Sequence, residues 1–244
     1  MKIDIVIPSF KSRYLTMLAI RSFERHSTGF DFRYIVVENS DDESYKEDVQ
    51  KISDRVVWVQ NPTKYTNSEA NASAIHKAME HLKAELVFIC HNDVMAVHPN
   101  WMKYLHTKIQ EGNHLVGTVL DNSRIEAVHI SGLLTYSEIV KSVDHFPTYD
   151  EVGRQILDVG DVLTQYCRDN NLDYFCYRNT ENYNIDPDSL PSPYDDFPVD
   201  RSVDDDGEVF FLHLGRGTPK TLGSYSKLGK VYVQDWVKFA GINL

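Results

Sequence analysis

Leu86-Val-Phe-Ile-Cys-His-Asn-Asp93 is a run of apolar side chains that stops abruptly in three polar ones. An apolar run of that length reads as a strand buried on both faces of a parallel sheet. The polar triplet then falls at the strand's carboxyl end, where open α/β sheets place their ligands. A carboxylate there, Asp93, can hold a divalent cation, and the cation can hold a diphosphate. The competing reading is that Asn92 and Asp93 only start a turn, a common role for those residue types.

The flanking sequence has the rhythm of an α/β protein. Residues 3–8 (Ile-Asp-Ile-Val-Ile-Pro) read as a first strand, followed by a helix with Ser12 as N-cap and Leu15, Leu18, Ala19 and Phe23 on its apolar face. Residues 34–37 form a second buried strand closed by Glu38-Asn39-Ser40-Asp41-Asp42, and residues 56–59 a third. A loop over 61–67 leads into a helix over 70–83. After Asp93, Pro99 and Asn100 precede a helix carrying Trp101, Leu105 and Ile109, and residues 115–120 read as a strand. Strands alternating with helices across short crossovers predict a mostly parallel central sheet flanked by helices, Rossmann-like in its first half. No Gly-rich turn follows the first strand, so the dinucleotide fingerprint and the P-loop are both absent.

The second half is less regular. Residues 130–134 read as a strand edge or a turn, 155–170 as a helix, 174–177 as a strand, and 179–207 as a long acidic loop. Residues 209–213 form a strand that again ends in a polar side chain, His213, and 235–239 suggest a short terminal helix. A single domain over 1–244 is expected, with a regular half at 1–120 and a looser one at 121–244.

Composition narrows the function classes. Hydrophobic residues make up 42% of the 244, enough to bury a core, and no run reaches membrane-span length. The net charge is -11, and residues 186–208 hold nine acids against one arginine, so the rest of the chain is only mildly acidic. That balance disfavours nucleic acid as a partner, because its backbone is gripped by Lys and Arg. The simplest reading of the acidic stretch is a solvated loop. Three unpatterned cysteines and no leader-like segment predict a reduced protein in the cytoplasm, or one peripheral to a membrane.

Four strand ends therefore carry polar groups: Pro8-Ser9, Glu38-Asn39-Ser40, Asn92-Asp93 and His213. In a parallel sheet such ends converge on one edge, where a carboxylate and an imidazole from distant parts of the chain can share a metal. His91 is either a third polar group there or merely a strand-end residue.

These residues resemble the GT-A fold glycosyltransferases of the family-two type. Ile5-Val-Ile-Pro8-Ser9-Phe10 looks like that family's first strand and nucleoside-contacting turn. Val36-Val-Glu38-Asn39-Ser40-Asp41 looks like its VVDNxSxD element, with a glutamate where the family has an aspartate against the base. Residues 67–75, including Asn71, are similar to its small-residue helix start, and His91-Asn92-Asp93 stands in place of its Asp-x-Asp with only the last acid kept. Leu212-His213-Leu214-Gly215 looks like the element whose histidine completes the metal site; Arg216 and Lys220 follow in a Gly-rich loop, where they either contact the diphosphate or are only solvated. The resemblance implies a nucleotide-sugar donor, most often a uridine diphosphate sugar, and a divalent cofactor (Mn2+ or Mg2+) on Asp93 and His213. It implies inverting transfer of a hexose-like sugar to an acceptor hydroxyl, with the donor in the 1–120 half and the acceptor in the 121–244 half. The acceptor itself is open: a glycan, a lipid-linked sugar, a protein or a small molecule.

The family's general base sits at the start of a late helix, and here a gapless match lands on Val159. Asp158 and Asp161, three apart and so on one helix face, are the candidates, with Asp158 favoured as nearer the helix start. The alternative is that Asp158 caps the helix while Asp161 faces solvent. Two other functions remain open. A nucleotidyltransferase would need a basic Gly-rich loop after the first strand, and Lys11 and Arg13 lie there without a glycine. A non-catalytic nucleotide-sugar-binding module would account for the altered Asp-x-Asp and the shifted base.

Overall fold

The computed structural model of the chain describes residues 1–119, 125–180 and 199–215, with 186, 190, 235, 236 and 238 besides. It begins β1 (Lys2–Ser9), α1 (Arg13–Arg25), β2 (Asp31–Glu38), α2 (Lys46–Gln50), β3 (Val56–Gln60) and α3 (Asn67–Met79). β4 (Leu86–Ile89), β5 (Val94–Ala96), α4 (Trp101–Gln110), β6 (Leu115–Val119), β7 (Val128–Tyr136) and α5 (Ser137–Lys141) follow. The chain continues through β8 (Thr148–Tyr149), β9 (Gln155–Leu157), α6 (Asp161–Asp169), β10 (Tyr174–Asn179), β11 (Asp200–Val203) and β12 (Val209–His213).

The period-two alternation of the strands builds three layers. Ile3, Ile5, Ile7, Tyr34, Val36, Leu86 and Phe88 face one side, where they meet Ile20 and Phe23 of α1 and Trp101, Met102 and Leu105 of α4. Val6, Ile35, Val37, Val87 and Ile89 face the other, against Ala74, Ile75 and Ala78 of α3, Ile139 of α5 and Leu163 of α6. Trp101 is fully buried at the hub of the first layer, its ring 5.0–5.4 Å from Phe211, Phe23, Phe88 and Phe32. Its indole N–H donates to the His26 carbonyl at 3.1 Å, so this large side chain leaves no buried donor unpaired.

Among the described residues the main sheet has ten strands in the order β3-β2-β1-β4-β7-β6-β10-β11-β12-β5. It is a mixed sheet. β3, β2, β1 and β4 are mutually parallel, as is the β6–β10 pair, whereas β7 runs antiparallel between β4 and β6. β10, β11, β12 and β5 are joined antiparallel. No helix among the described residues is long and apolar enough to cross a membrane.

Four expectations are corrected. The strand read through to Asp93 ends at Ile89, and the chain turns at residues 90–93 into β5. Residues 130–134 belong to a nine-residue strand in the middle of the sheet; its flanks are too polar for the periodicity to announce it. The helix expected over 155–170 starts at Asp161, because residues 155–157 pair with β8 instead. Gly160 makes the break with φ +88, and a Cβ on it would lie 2.0 Å from Ile130 Cγ2. Asp158 therefore precedes the helix rather than sharing a face with Asp161. Lastly, part of the stretch read as loop over 179–207 is strand, β11.

Candidate functional site

The ends of β1 and β2 are tied together by a buried carboxylate. Glu38 is fully buried, and its Oε1 accepts the Lys11 amide at 3.0 Å and the Ser40 amide at 3.1 Å, with the Ser40 hydroxyl alongside. The Tyr45 hydroxyl donates to Oε2. Buried polar oxygens need such donors once they are taken from water. Lys11 reaches Glu38 with φ +50, a left-handed conformation costing about 1 kcal/mol in a non-glycine residue. From Tyr45 the bonds continue to the Ser9 hydroxyl (3.0 Å), Thr16 (3.0 Å) and the Asn92 amide (3.5 Å). Burial pushes the Tyr45 phenol well above its ordinary range, and Glu38 adds to that, so it stays a donor.

Asn39 links the same edge to α3. Its side-chain amide donates to the Ala70 carbonyl (2.9 Å), and its oxygen accepts from Asn61 (2.7 Å). That places the first turns of α3, including the half-buried Asn71, beside the end of β2. Pro8 and Ser9 are buried, whereas Phe10 is 42% exposed at the rim.

The β4–β5 turn supplies the acid. Asp93 is 3% exposed, and the next residue, Val94, pairs with His213 of β12. His213 thus arrives on an antiparallel strand, not on the parallel sheet edge expected from sequence. Its Nε2 lies 3.4 Å from Asp93 Oδ1 and its Nδ1 3.8 Å from Asp200 Oδ2. His91, Asp93 and His213 each offer one ligand atom, and these atoms all lie within 4.8 Å of one another. The His91 ring stands edge-on to His129 (5.3 Å between centroids) and 5.7 Å from the His213 ring. Burial pushes His91 down to about 4, helped by His213 and opposed by Asp93 and Asp158, so at neutral pH it is uncharged. A neutral imidazole beside a carboxylate and a second imidazole is a donor set that fits a divalent cation.

The two aspartates near α6 differ in surroundings. Asp161 is 1% exposed, and its Oδ2 accepts the Asp158 amide at 2.8 Å. The Asp158 carbonyl in turn accepts the Asp161 amide (3.1 Å), closing the turn. Asp158 is half-buried, with Oδ1 accepting the Val159 amide at 2.7 Å, and it is close enough to His91 to act on its charge. Asp158 does not cap the helix, since the N-cap is Gly160, and Asp161 does not face solvent.

The structure thus brings Ser9, Glu38, Asn39, Ser40, Asn92, Asp93 and His213 to one edge, with Asp158 within electrostatic reach of His91. Arg216 and Lys220 lie outside the described residues. Sequence reasoning missed Tyr45, His129 and Asp200. Tyr45 lies well beyond the end of β2, in the loop before α2, and His129 and Asp200 sit in stretches with no clear period, so no local pattern flags any of the three. A depression of about 230 Å³ on α4 is remote from these groups. Tyr104 and Lys108 line it, and both bond Asp205 there.

No family model and no curated protein matches the chain. Solved structures do. A mannosyltransferase from Pyrobaculum calidifontis, in complex with GDP-mannose and Mn2+, superposes with a TM-score of 0.56 at 12% identity, over 71% of this chain and 54% of its own. The fold is that of GT-A glycosyltransferases. Glucosyl-3-phosphoglycerate synthase from Mycobacterium tuberculosis, in complex with Mg2+ and uridine diphosphate, gives 0.52 at 15% identity, over 72% of this chain and 68% of its own. This chain therefore spans just over half the length of the mannosyltransferase and about two thirds of the synthase.

Proposed function

We propose that this chain is an inverting, metal-assisted glycosyltransferase of the family-two type, moving a hexose from a nucleotide diphosphate sugar to an acceptor hydroxyl. The observation that carries this reading is the meeting of Asp93 and His213 at 3.4 Å on the edge where β1 and β2 end. Asp93 and His213 would hold Mn2+ or Mg2+, which when bound supplies the positive charge that a departing diphosphate needs. The turn after β1 and the Asn39–α3 contact would receive the nucleoside, with Glu38 shaping that turn from beneath through Lys11 and Tyr45. Asp158 is the better general base, since Asp161 is committed to the loop. An Asp158 carboxylate oxygen would take the acceptor proton as the hydroxyl attacks in line. The 1–120 half would take the donor and the 121–244 half the acceptor. Both neighbours described above hold nucleotide and metal together, which supports the choice of ligands.

A screen of nucleotide-sugar hydrolysis with Mn2+ or Mg2+, uridine diphosphate sugars first, tests the reading. Turnover of one donor is expected, lowered about 10²-fold or more by Asp93→Asn. No turnover, and no rise in melting temperature with any nucleotide and metal, would overturn it.

A further inference from the structure

His91 stands where the resemblance expects an aspartate, and its Nε2 is buried without a hydrogen-bond partner. An orphaned buried nitrogen costs about 1–3 kcal/mol, so its persistence calls for a reason. Three features of the surroundings point to a ligand. The Nε2 belongs to a ring whose ligand atom lies within 4.8 Å of ligand atoms on Asp93 and His213. The ring is held in place by edge-on packing against His129, whose Nδ1 is fixed by the Ser131 hydroxyl (2.9 Å) and amide (3.3 Å). Finally, Asp200 lies 3.8 Å from the outer nitrogen of His213, the side from which carboxylates orient metal-bound imidazoles.

We propose that His91 is a third metal ligand, making this a site of two imidazoles and one carboxylate that selects borderline transition ions such as Co2+ or Zn2+ over Mg2+. The inference rests on the metal-site reading above. An Asp-plus-His pair leaves most of the coordination to water and phosphate oxygens, which suits Mg2+ and Mn2+. A second imidazole replaces a hard oxygen ligand with nitrogen, and affinity then follows the order in which divalent first-row ions prefer nitrogen. His129 and Asp200 are positioning residues: the first holds the His91 ring, the second the His213 ring.

The test is direct titration of the metal-free protein with Co2+ and with Mg2+, by calorimetry and by the visible ligand-field spectrum of bound Co2+. His91→Ala, His91→Asp and Asp93→Asn are compared with the unaltered chain, with circular dichroism as the control for folding. Co2+ is expected to bind at least about tenfold more tightly than Mg2+. Either His91 variant is expected to lose about tenfold or more of the Co2+ affinity and to change the spectrum, and His91→Asp to narrow the preference over Mg2+. If Co2+ affinity and spectrum are the same with and without the imidazole while Asp93→Asn abolishes binding, His91 is no ligand and the Asp93–His213 site survives. If the unaltered chain binds neither ion, with or without uridine diphosphate, the metal reading itself falls.

Discussion

Asp4 offers a test of the fold that leaves the site untouched. It lies at the end of β1 away from Ser9 and is 1% exposed. Its carboxylate takes a bidentate grip from Arg33 on β2 (both contacts 2.8 Å) and the amides of Lys83 (2.6 Å) and Ala84 (2.9 Å), just before β4. One side chain thus fastens three adjacent strands. Breaking a buried ion pair costs about 3–5 kcal/mol. Arg33 is 23% exposed and also donates to the His81 carbonyl, so water and that bond recover part of the loss. Asp4→Asn, which turns an amide donor toward donors, should then cost about 2–3 kcal/mol, and Asp4→Ala about 3–5 because two backbone amides are orphaned as well. For a chain of this length, Asp4→Asn should lower the melting temperature by about 4–12 °C.

The pH dependence has a definite sign. Burial would raise the Asp4 carboxyl, but Arg33 and the Lys83 and Ala84 amides outweigh it and hold it below its ordinary value of 3.8. A depressed acid stabilises the fold above that value and stops doing so as pH falls through the folded one. Urea titration should therefore show the full gap between the unaltered chain and Asp4→Asn at pH 7, and a shrinking one below about pH 4. A gap under about 0.5 kcal/mol at pH 7, or one that is constant down to pH 3, would refute the reasoning.

Three further outcomes are expected. Gly160→Ala must adopt a left-handed backbone and push Ile130 aside, which should cost about 2–4 kcal/mol in denaturant titration; paired with Ile130→Ala, which empties that space, it should be less than additive. Tyr45→Phe leaves Glu38 Oε2 without its donor, so a loss of about 1–3 kcal/mol and weaker nucleotide binding by calorimetry are expected together. Burial pushes the Cys167 and Cys176 thiols up to about 11 and Cys90 well above its ordinary value, so a thiol reagent at neutral pH should label the chain slowly until guanidinium unfolds it.

Sequence and structure agree where the physics is local. The apolar runs at 3–8, 34–37 and 86–89 become parallel strands because burial on both faces needs nothing but apolar residues. Asp93 was legible from the way such a run ends, and His213 for the same reason. The route by which they meet was not, because antiparallel pairing of β5 with β12 is a long-range choice that leaves no periodic trace. The helix start at Asp161 was hidden too. Residues 155–170 have helical spacing throughout, and only a glycine forced against Ile130 breaks it. Glu38 was legible as a polar strand end, but its partner Tyr45 belongs to the loop before α2, where no pattern links the two.

The aiming of His213 is set by its neighbours in β12. Phe211, two residues back, is wedged against Trp101 and Phe88, while Leu212 on the opposite face packs with Leu18 and Met95. A slip of one position along β5 would eject the phenylalanine from the aromatic hub and swing the imidazole to the far side of the ribbon. The greasy interior therefore acts as a gunsight for the chemistry. Trimming Phe211 should look, in a binding assay, like damage to the proposed cation site, of which this ring is no ligand.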